Sequence, residues 1–212
     1  MNRTKNSITI LVAAVLLTAG TAFAANNGNE QNQKQATEWQ VDKAHTNVQF
    51  EVTHFFTPVT GTFDEYSGEI YFNPDNLEES SVNFEIDVAS INTRNKKRDD
   101  HLRSDDFFYA EKYPKITFSS DKIEKTGSNK YVAHGTLSMR GSSKEIELPF
   151  ELLGSQKHPM KKNTIVSAIK AETTLSRTAY DVGVGDWASN AVIGDAVDVT
   201  IAMEMTTKEG SM

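Results

Sequence analysis

Residues 88–118 read VASINTRNKKRDDHLRSDDFFYAEKYPKITF, and this stretch decides the fold class. Apolar and polar residues alternate before it, over residues 82–88, and again at its end, over residues 115–118. This two-residue period is typical of half-buried β-strands. Between the strands lies a strongly charged insert. Such an insert in a β-rich chain indicates an element that caps or gates one end of a β-structure.

The insert also predicts a short helix. Ser104 is a good N-cap, and Asp105 and Asp106 would place acids in the first turn, where the helix dipole favours negative charge. A proline further along ends any continuation, because the residue before a proline is driven towards an extended conformation. Phe107 and Phe108 would point inward from this helix. We therefore expect a helix lying as a lid across one end of the β-structure.

Alternation continues along almost the whole domain. Further strands are predicted around residues 48–53, 61–73, 116–118, 136–139, 145–152, 164–174 and 197–205. About eight antiparallel strands, each polar on one face only, must bury a shared face, and such a sheet curls into a barrel or splits into a sandwich. Short turns favour up-and-down order. We predict an all-β fold, a single extended antiparallel eight-stranded β-barrel with a short helix at one mouth, and keep the sandwich as the alternative.

The inward faces of these strands are apolar and define a candidate ligand-binding cavity. Its predicted lining residues are Phe50, Val52, Phe84, Ile86, Ile116, Phe118, Leu137, Met139, Leu148, Phe150, Ile201 and Met203. An eight-stranded barrel is just wide enough either to fill itself with side chains or to hold one small ligand. Composition alone leaves both a packed core and a lined cavity open.

A basic cluster is the strongest local charge anomaly of the chain; it consists of Arg94, Lys96, Lys97, Arg98 and Arg103. One interpretation is a solvated segment whose charges pair with neighbouring aspartates. The other is a rim that recognises a phosphate or polar head group, a task for which arginine geometry is well suited. The predicted mouth residues are Arg94, Arg98, His101, Arg103, Phe107, Phe108 and Arg177. For Arg177, a structural tie to the backbone is the alternative.

The amino-terminal segment predicts export. Arg3 and Lys5 precede an uncharged apolar stretch at residues 8–19, and Ala22-Phe23-Ala24 is a small-x-small cleavage site. The stretch is too short to cross a bilayer, which needs about 20 residues; an uncleaved anchor is the alternative. We expect a periplasmic protein with a cleaved signal peptide (residues 1–24), a disordered Asn/Gln-rich leader (25–37) and one barrel domain (38–208).

Charge and composition exclude several partners. The chain has a formal net charge of −7, and removal of Arg3 and Lys5 with the signal takes it to −9. An acidic protein of this kind is a poor match for nucleic acid or for anionic membrane surfaces. The absence of cysteine excludes disulfides, a thiol nucleophile and a lipid anchor on cysteine.

Familiar catalytic signatures are missing as well. The sequence holds no Gly-x-Ser-x-Gly elbow, no phosphate-binding Gly-rich loop and no His-Glu-x-x-His, and its five histidines are scattered. We expect no catalytic residues, metal or cofactor. Two alternatives stay open: a hydrolase- or isomerase-like enzyme that uses the barrel as a reaction chamber, with His45 or His101 as acid/base, and a packed barrel that acts through partner contacts.

Several sequence pieces in order carry a resemblance to a known family. They are residues 41–50 (VDKAHTNVQF), Gly61-Thr62-Phe63 with Tyr66 and Gly68, residues 90–93 (SINT), residues 98–108, Tyr113-Pro114 with Phe118, residues 135–141, Arg177 with residues 180–183 (YDVG), and residues 194–197 (GDAV). Over about residues 39–205 the chain resembles the YceI-like family of periplasmic, lipocalin-like proteins that bind polyisoprenoids.

The resemblance implies a binding or carrier protein with a lipocalin-like barrel. Its ligand would be an isoprenoid quinone, a polyprenyl phosphate or a similar long-chain amphiphile. The apolar interior would take the tail, at about 0.8 kcal/mol per buried CH₂, and the mouth would take the head. Expected partners are this lipid and, in a homodimer, a second copy of the chain; nucleic acid and a stable membrane anchor are not expected. Thr46 and Tyr180 stand where the family more often has Ser and Phe, which bears on the head-group contacts.

Overall fold

The structure, a computed structural model, describes residues 36–210. The predicted signal peptide and nearly all of the predicted leader lie outside these residues. The strands are β1 (Glu38–Val41), β2 (Asn47–His54), β3 (Thr57–Phe63), β4 (Tyr66–Tyr71), β5 (Ser81–Asp87), β6 (Ile91–Asn92), β7 (Lys115–Lys125), β8 (Lys130–Met139), β9 (Ser142–Lys157), β10 (Thr164–Ser176) and β11 (Ile193–Lys208). The helix α1 spans Lys96–Arg103, and 3₁₀ turns lie at Lys43–His45, Val88–Ser90, Thr178–Tyr180 and Gly185–Trp187. Within residues 36–210, no helix has the length and apolar character needed to cross a membrane.

Eight of the strands close into a barrel. Their order is β1-β4-β5-β7-β8-β9-β10-β11, every neighbouring pair is antiparallel, and β1 pairs with both β4 and β11 to complete the ring. The prediction of an eight-stranded antiparallel barrel with a short helix is confirmed, and the sandwich alternative is wrong. The strand predicted over residues 61–73 is in fact two strands, β3 and β4. Only β4 belongs to the ring.

The other three strands extend the barrel wall at one end. β11 is 16 residues long, and it pairs with β1 near its carboxyl end and with β2 along the rest. The β2–β3 hairpin and the short β6 then continue the sheet beyond the ring. We call this the helix end of the barrel, because α1 directly follows β6, and we call the opposite end the closed end.

An aromatic cluster fills the closed end. The rings of Phe72, Tyr131 and Phe150 lie with centroids 5.1–5.6 Å apart. Trp39 is buried beside them, and its indole N–H donates to the carbonyl of Phe72 at 2.9 Å. Thr37, at the carboxyl end of the predicted leader, is also buried, and its carbonyl accepts the N–H of Phe72. This packing seals the barrel at the end away from α1.

The wall has a seam between β9 and β10. These two strands pair from Lys157–Ile165 to Phe150–Ala171, and they do not pair between Phe150–Ala171 and the helix end. β9 continues to pair with β8 over Ser142–Pro149, and β10 continues to pair with β11 as far as Ser176. Towards the helix end, each strand is therefore bonded on one side only. Pro149, which has no N–H to donate, stands at the first unpaired position.

The helix lies earlier in the chain than predicted. Asn95 is the N-cap, because its side chain accepts the N–H of Arg98, and Ser104 is the C-cap. The prediction that Ser104 begins a helix containing Asp105 and Asp106 is therefore wrong. Asn is as good an N-cap as Ser, and starting at Asn95 forms an Asp100 bridge to Lys96 and Arg103 within the helix. The two phenylalanines lie in the turns that follow.

We expect Gly135 to be required for the close packing of β8 against β7. A Cβ at this position of β8 would lie 2.2 Å from the carbonyl oxygen of Ser119, beside the irregularity in the β7–β8 register, whereas a Cβ at Gly154 would meet nothing within 4 Å. Gly135→Ala should lower the free energy of unfolding by about 1–3 kcal/mol, the usual cost of overpacking. Gly154→Ala is the matched control and should change it little. Urea denaturation of both variants provides the measurement, and equal effects would contradict the close-packed wall.

Candidate functional site

A cavity of about 580 Å³ occupies the barrel interior. All twelve predicted cavity residues, from Phe50 to Met203, are among those that line it. The volume falls within the 300–1,000 Å³ typical of small-molecule sites, and it far exceeds the voids of a close-packed core. The interior is therefore a lined cavity and not a packed core. Ligand binding by these residues stays a prediction.

The lining changes character along the barrel. Towards the closed end it consists of apolar side chains, including Ile70, Phe72, Val82, Ala133 and Met205. Polar and charged lining residues come mainly from the helix end, where they include Thr93, Asn95, Lys97, Arg98 and His101. One continuous space thus has an apolar body and a polar end. The polarity of the lining therefore changes from one end of the cavity to the other.

Aromatic side chains hold the segment after α1 against the barrel. The rings of His101, Phe107 and Trp187 contact one another with centroids 4.9–5.6 Å apart. Phe108 packs edge-on against Phe63 at 5.9 Å. Arg140, in the β8–β9 turn, donates hydrogen bonds to the carbonyls of Phe107 and Asp105. These contacts position Phe107 and Phe108 at the cavity, as part of its lining.

A buried carboxylate fixes the start of the helix. Asp99 accepts the backbone N–H and the hydroxyl of Thr93, at 2.8 and 2.5 Å. Arg98 donates to the hydroxyl and carbonyl of Thr93 through Nε and Nη2, at 2.7 and 2.8 Å. Its Nη1 is not used in these bonds. The geometry therefore presents an oriented guanidinium as part of the cavity lining.

The basic cluster divides into two groups. Lys97 and Arg98 line the cavity, whereas Arg94, Lys96 and Arg103 are not among its lining residues. Lys96 and Arg103 pair with Asp100, and Arg103 also donates to backbone carbonyls. In the described part of the chain no ion pair or hydrogen bond engages the exposed ammonium of Lys97. The interpretation of paired, solvated charges thus applies to Lys96 and Arg103. Recognition of a head group by Lys97 and Arg98 stays a prediction.

Arg177 is built into the structure at the helix end. It is 6% exposed, and it donates to the carbonyls of Gly194, Val182, Ile193 and Ser189 at 2.9–3.3 Å. Burial lowers the pKa of this guanidinium, while the charge of Asp195 acts in the opposite direction. These bonds are those expected of the structural tie. Arg177 also lines the cavity, and its contact with a ligand stays a prediction.

Tyr180 lies beside Arg177 and carries a buried hydroxyl with no hydrogen-bond partner among the described residues. Burial raises the pKa of this phenol, so the group is neutral near pH 7. An unpaired buried hydroxyl costs about 1–3 kcal/mol. The ring itself is partly stabilised by the ammonium of Lys144, which lies 5.8 Å from its centroid.

The two histidines that the enzyme alternative requires lie in different places. His101 lines the cavity, and its Nε2 lies 2.9 Å from a carboxylate oxygen of Asp106. His45 is not part of the lining; its exposed ring lies at the surface near Asp42 and Glu204. A hydrogen bond from His45 lowers the pKa of Asp42. His45 therefore cannot serve a molecule held inside the barrel.

Sequence reasoning missed several lining residues at the helix end. Asn95, Lys97, Tyr180 and Trp187 all line the cavity. Lys97 belongs to the basic cluster found in the sequence, but only the position of α1 shows that Lys97 lines the cavity and Lys96 does not. Trp187 lies in a loop without periodicity, so no local pattern could have placed it.

The fold and site together define a β-barrel protein with an internal, ligand-sized cavity. A YceI-like domain matches residues 39–205. A UPF0312 protein of Photorhabdus laumondii is 35% identical over 156 residues, covering 73% of this chain and 76% of the relative. The chain belongs to the YceI-like family, as its sequence motifs indicated.

Solved structures agree with this assignment. The YceI protein of Campylobacter jejuni superposes with a TM-score of 0.64 and 35% identity, covering 79% of this chain and 96% of that one. A polyisoprenoid-binding domain from Saccharophagus degradans, implicated in plant cell wall breakdown, superposes with a TM-score of 0.58, covering 80% of this chain and 98% of that one. Its identity is only 15%, so this second likeness concerns the fold.

We expect cavity-facing and core residues to differ in their contribution to stability. Leu148 is half-buried and lines the cavity, whereas Ile123 is buried in the core and does not line it. Ile123→Ala should cost about 2–5 kcal/mol, as in a packed core, and Leu148→Ala clearly less, because its side chain borders empty space. Denaturant unfolding of both variants, after delipidation, measures the difference. Equal costs would contradict an open interior.

Proposed function

We propose that this protein is a periplasmic carrier that encloses a polyisoprenoid, such as an isoprenoid quinone or a polyprenyl phosphate, or a similar long-chain amphiphile. The observation that carries the proposal is the polarity gradient inside one cavity. An apolar chain would lie among the side chains towards the closed end, and a polar head would meet Lys97 and Arg98 at the helix end. The polyisoprenoid-binding domain with the same fold supports this ligand class.

A binding role fits the cavity better than a reaction chamber. The charged residues that line the cavity lie together at its helix end, and most of the other lining residues are apolar. Binding through apolar burial needs no precisely placed acid/base pair, only a dry surface of sufficient area. The proposed periplasmic location rests on the signal-like segment at residues 1–24, and the intact mass of exported protein tests it, since cleavage should leave Ala25 as the first residue.

The decisive experiment identifies the occupant directly. Purified protein from its native host would be extracted with organic solvent, and the extract analysed by mass spectrometry. We expect a long-chain isoprenoid in near-stoichiometric amount. A matched preparation of Leu137→Trp, in which a larger side chain occupies the cavity, should release much less of it. Equal amounts from both proteins, or none from either, would contradict the proposal.

We expect the head group to be recognised by Lys97 and Arg98. Charge-assisted hydrogen bonds contribute about 1.5–3 kcal/mol when partly desolvated and much less when fully exposed. Lys97→Ala and Arg98→Ala should therefore weaken binding of a polyprenyl phosphate several-fold and leave binding of the uncharged polyprenol nearly unchanged. Fluorescence competition with the two lipids measures both affinities.

Lys96→Ala is the matched control for this prediction. Lys96 precedes Lys97 on the same helix and is equally cationic, but it pairs with Asp100 and is not among the lining residues. It should affect neither lipid. If all three variants lose the same affinity for the phosphate, the effect is one of general charge and the head-group assignment is wrong.

A further inference from the structure

Two exposed phenylalanines form the tip of the β2–β3 hairpin. Phe56 is 97% exposed and Phe55 57%. Since His54 pairs with Thr57, these two residues are the whole loop. Phe55 has a φ of 53°, a conformation that two-residue hairpin loops normally give to Gly, Asn or Asp. Phe55 is thus unfavourable for the turn, and neither phenylalanine is buried in a core, which indicates that they contact something outside the chain.

The tip is continuous with the cavity. Val52, His54 and Val59 of the same hairpin line the cavity. The ring of Phe55 packs edge-on against that of His54, at 4.7 Å. The N–H of Phe55 donates to the carbonyl of Val192 at 2.8 Å, and the next residue, Ile193, lines the cavity as well. Whatever the tip touches therefore lies beside the polar, helix end of the site.

We propose that the Phe55–Phe56 tip inserts into the surface of a lipid bilayer and so brings the cavity to the membrane that holds its ligand. The choice of a bilayer as the source of the ligand rests on the proposed function. The contact is apolar, because the tip consists of two aromatic side chains. Anionic lipid should not strengthen it, because the chain as a whole is acidic. Binding should therefore occur on neutral phosphatidylcholine, should not increase with anionic lipid, and should depend little on salt.

The molecule offers a matched control at its other end. Met160 is 86% exposed and lies in the β9–β10 loop. The loop follows Lys157, which pairs with Ile165, and Ile165 pairs with Thr207 near the carboxyl end of β11. The hairpin tip lies at the other end of β11, where His54 pairs with Ile193. With about 3.3 Å per residue, the two features are roughly 50 Å apart along this strand. An exposed apolar residue at the closed end should not contribute to docking.

The test compares three proteins in flotation with phosphatidylcholine vesicles. Phe55→Gly combined with Phe56→Ser removes both rings and gives the loop the residues that its backbone favours, so the fold is retained. This variant should bind vesicles about tenfold less, or weaker still, whereas Met160→Ser should bind like the unmodified protein. Transfer of a fluorescent polyprenol from donor vesicles should be slower for the double variant than for the other two proteins. The amount of polyprenol retained at equilibrium should be the same for all three.

The other possible results separate failure of this inference from failure of the proposed function. Equal flotation of the three proteins, or no flotation of the unmodified protein, overturns it. Binding only to phosphatidylglycerol vesicles points to an electrostatic contact elsewhere and also overturns it. If sedimentation shows a dimer that the double variant abolishes, the tip is a contact between two copies. If no polyprenol is retained but tip-dependent flotation persists, docking stands and the proposed ligand is wrong.

Discussion

The structure depends on the closure of the barrel by β1. This strand has only four residues, and two register pairs are recorded on each side, with Ile70 and Tyr71 of β4 and with Met205 and Thr206 of β11. A sheet that closes has no free edge there, and its inner face is removed from water as a whole. The interior described above exists because this short strand joins the two ends of the sheet.

The turn after β1 connects the closed ring to the extension formed by β2 and β3. Asp42 caps a single 3₁₀ turn by accepting the N–H of Ala44, and its own N–H donates to the carbonyl of Glu204. Thr46 repeats the attachment, because its hydroxyl both donates to and accepts from the backbone of Glu204. The chain thus stays on β11 while it passes from the closed ring to the extension formed by β2 and β3. That extension carries the lining to the hairpin tip.

Alternation predicted most of the strands and the twelve apolar lining residues, because each strand faces water on one side and the interior on the other. It left the barrel and the sandwich both open, and the short turns and the family resemblance favoured the barrel. The helix was misplaced, because both Asn95 and Ser104 are good caps, and the choice between them depends on contacts of Thr93 with Asp99 and Arg98. The division of the basic cluster was equally inaccessible. Which face of α1 turns towards the cavity is set by tertiary packing, and no local pattern records it. The exposed tip could have been noticed as two adjacent phenylalanines, but their exposure follows only from the His54–Thr57 pairing.

The seam between β9 and β10 has a mechanical consequence. In a fully bonded barrel the circumference is fixed, since any widening must break hydrogen bonds between neighbouring strands. Along Ser142–Pro149 of β9 no register pair with β10 has to break, so this part of the wall can spread or narrow at little cost in backbone hydrogen bonds. The outward carboxylates of Glu145 and Glu147, together with Pro149, protect the free edge from pairing with another chain. The circumference of the barrel is therefore adjustable beside this seam at the helix end, a property that would suit ligands of the proposed class whose head groups differ in bulk.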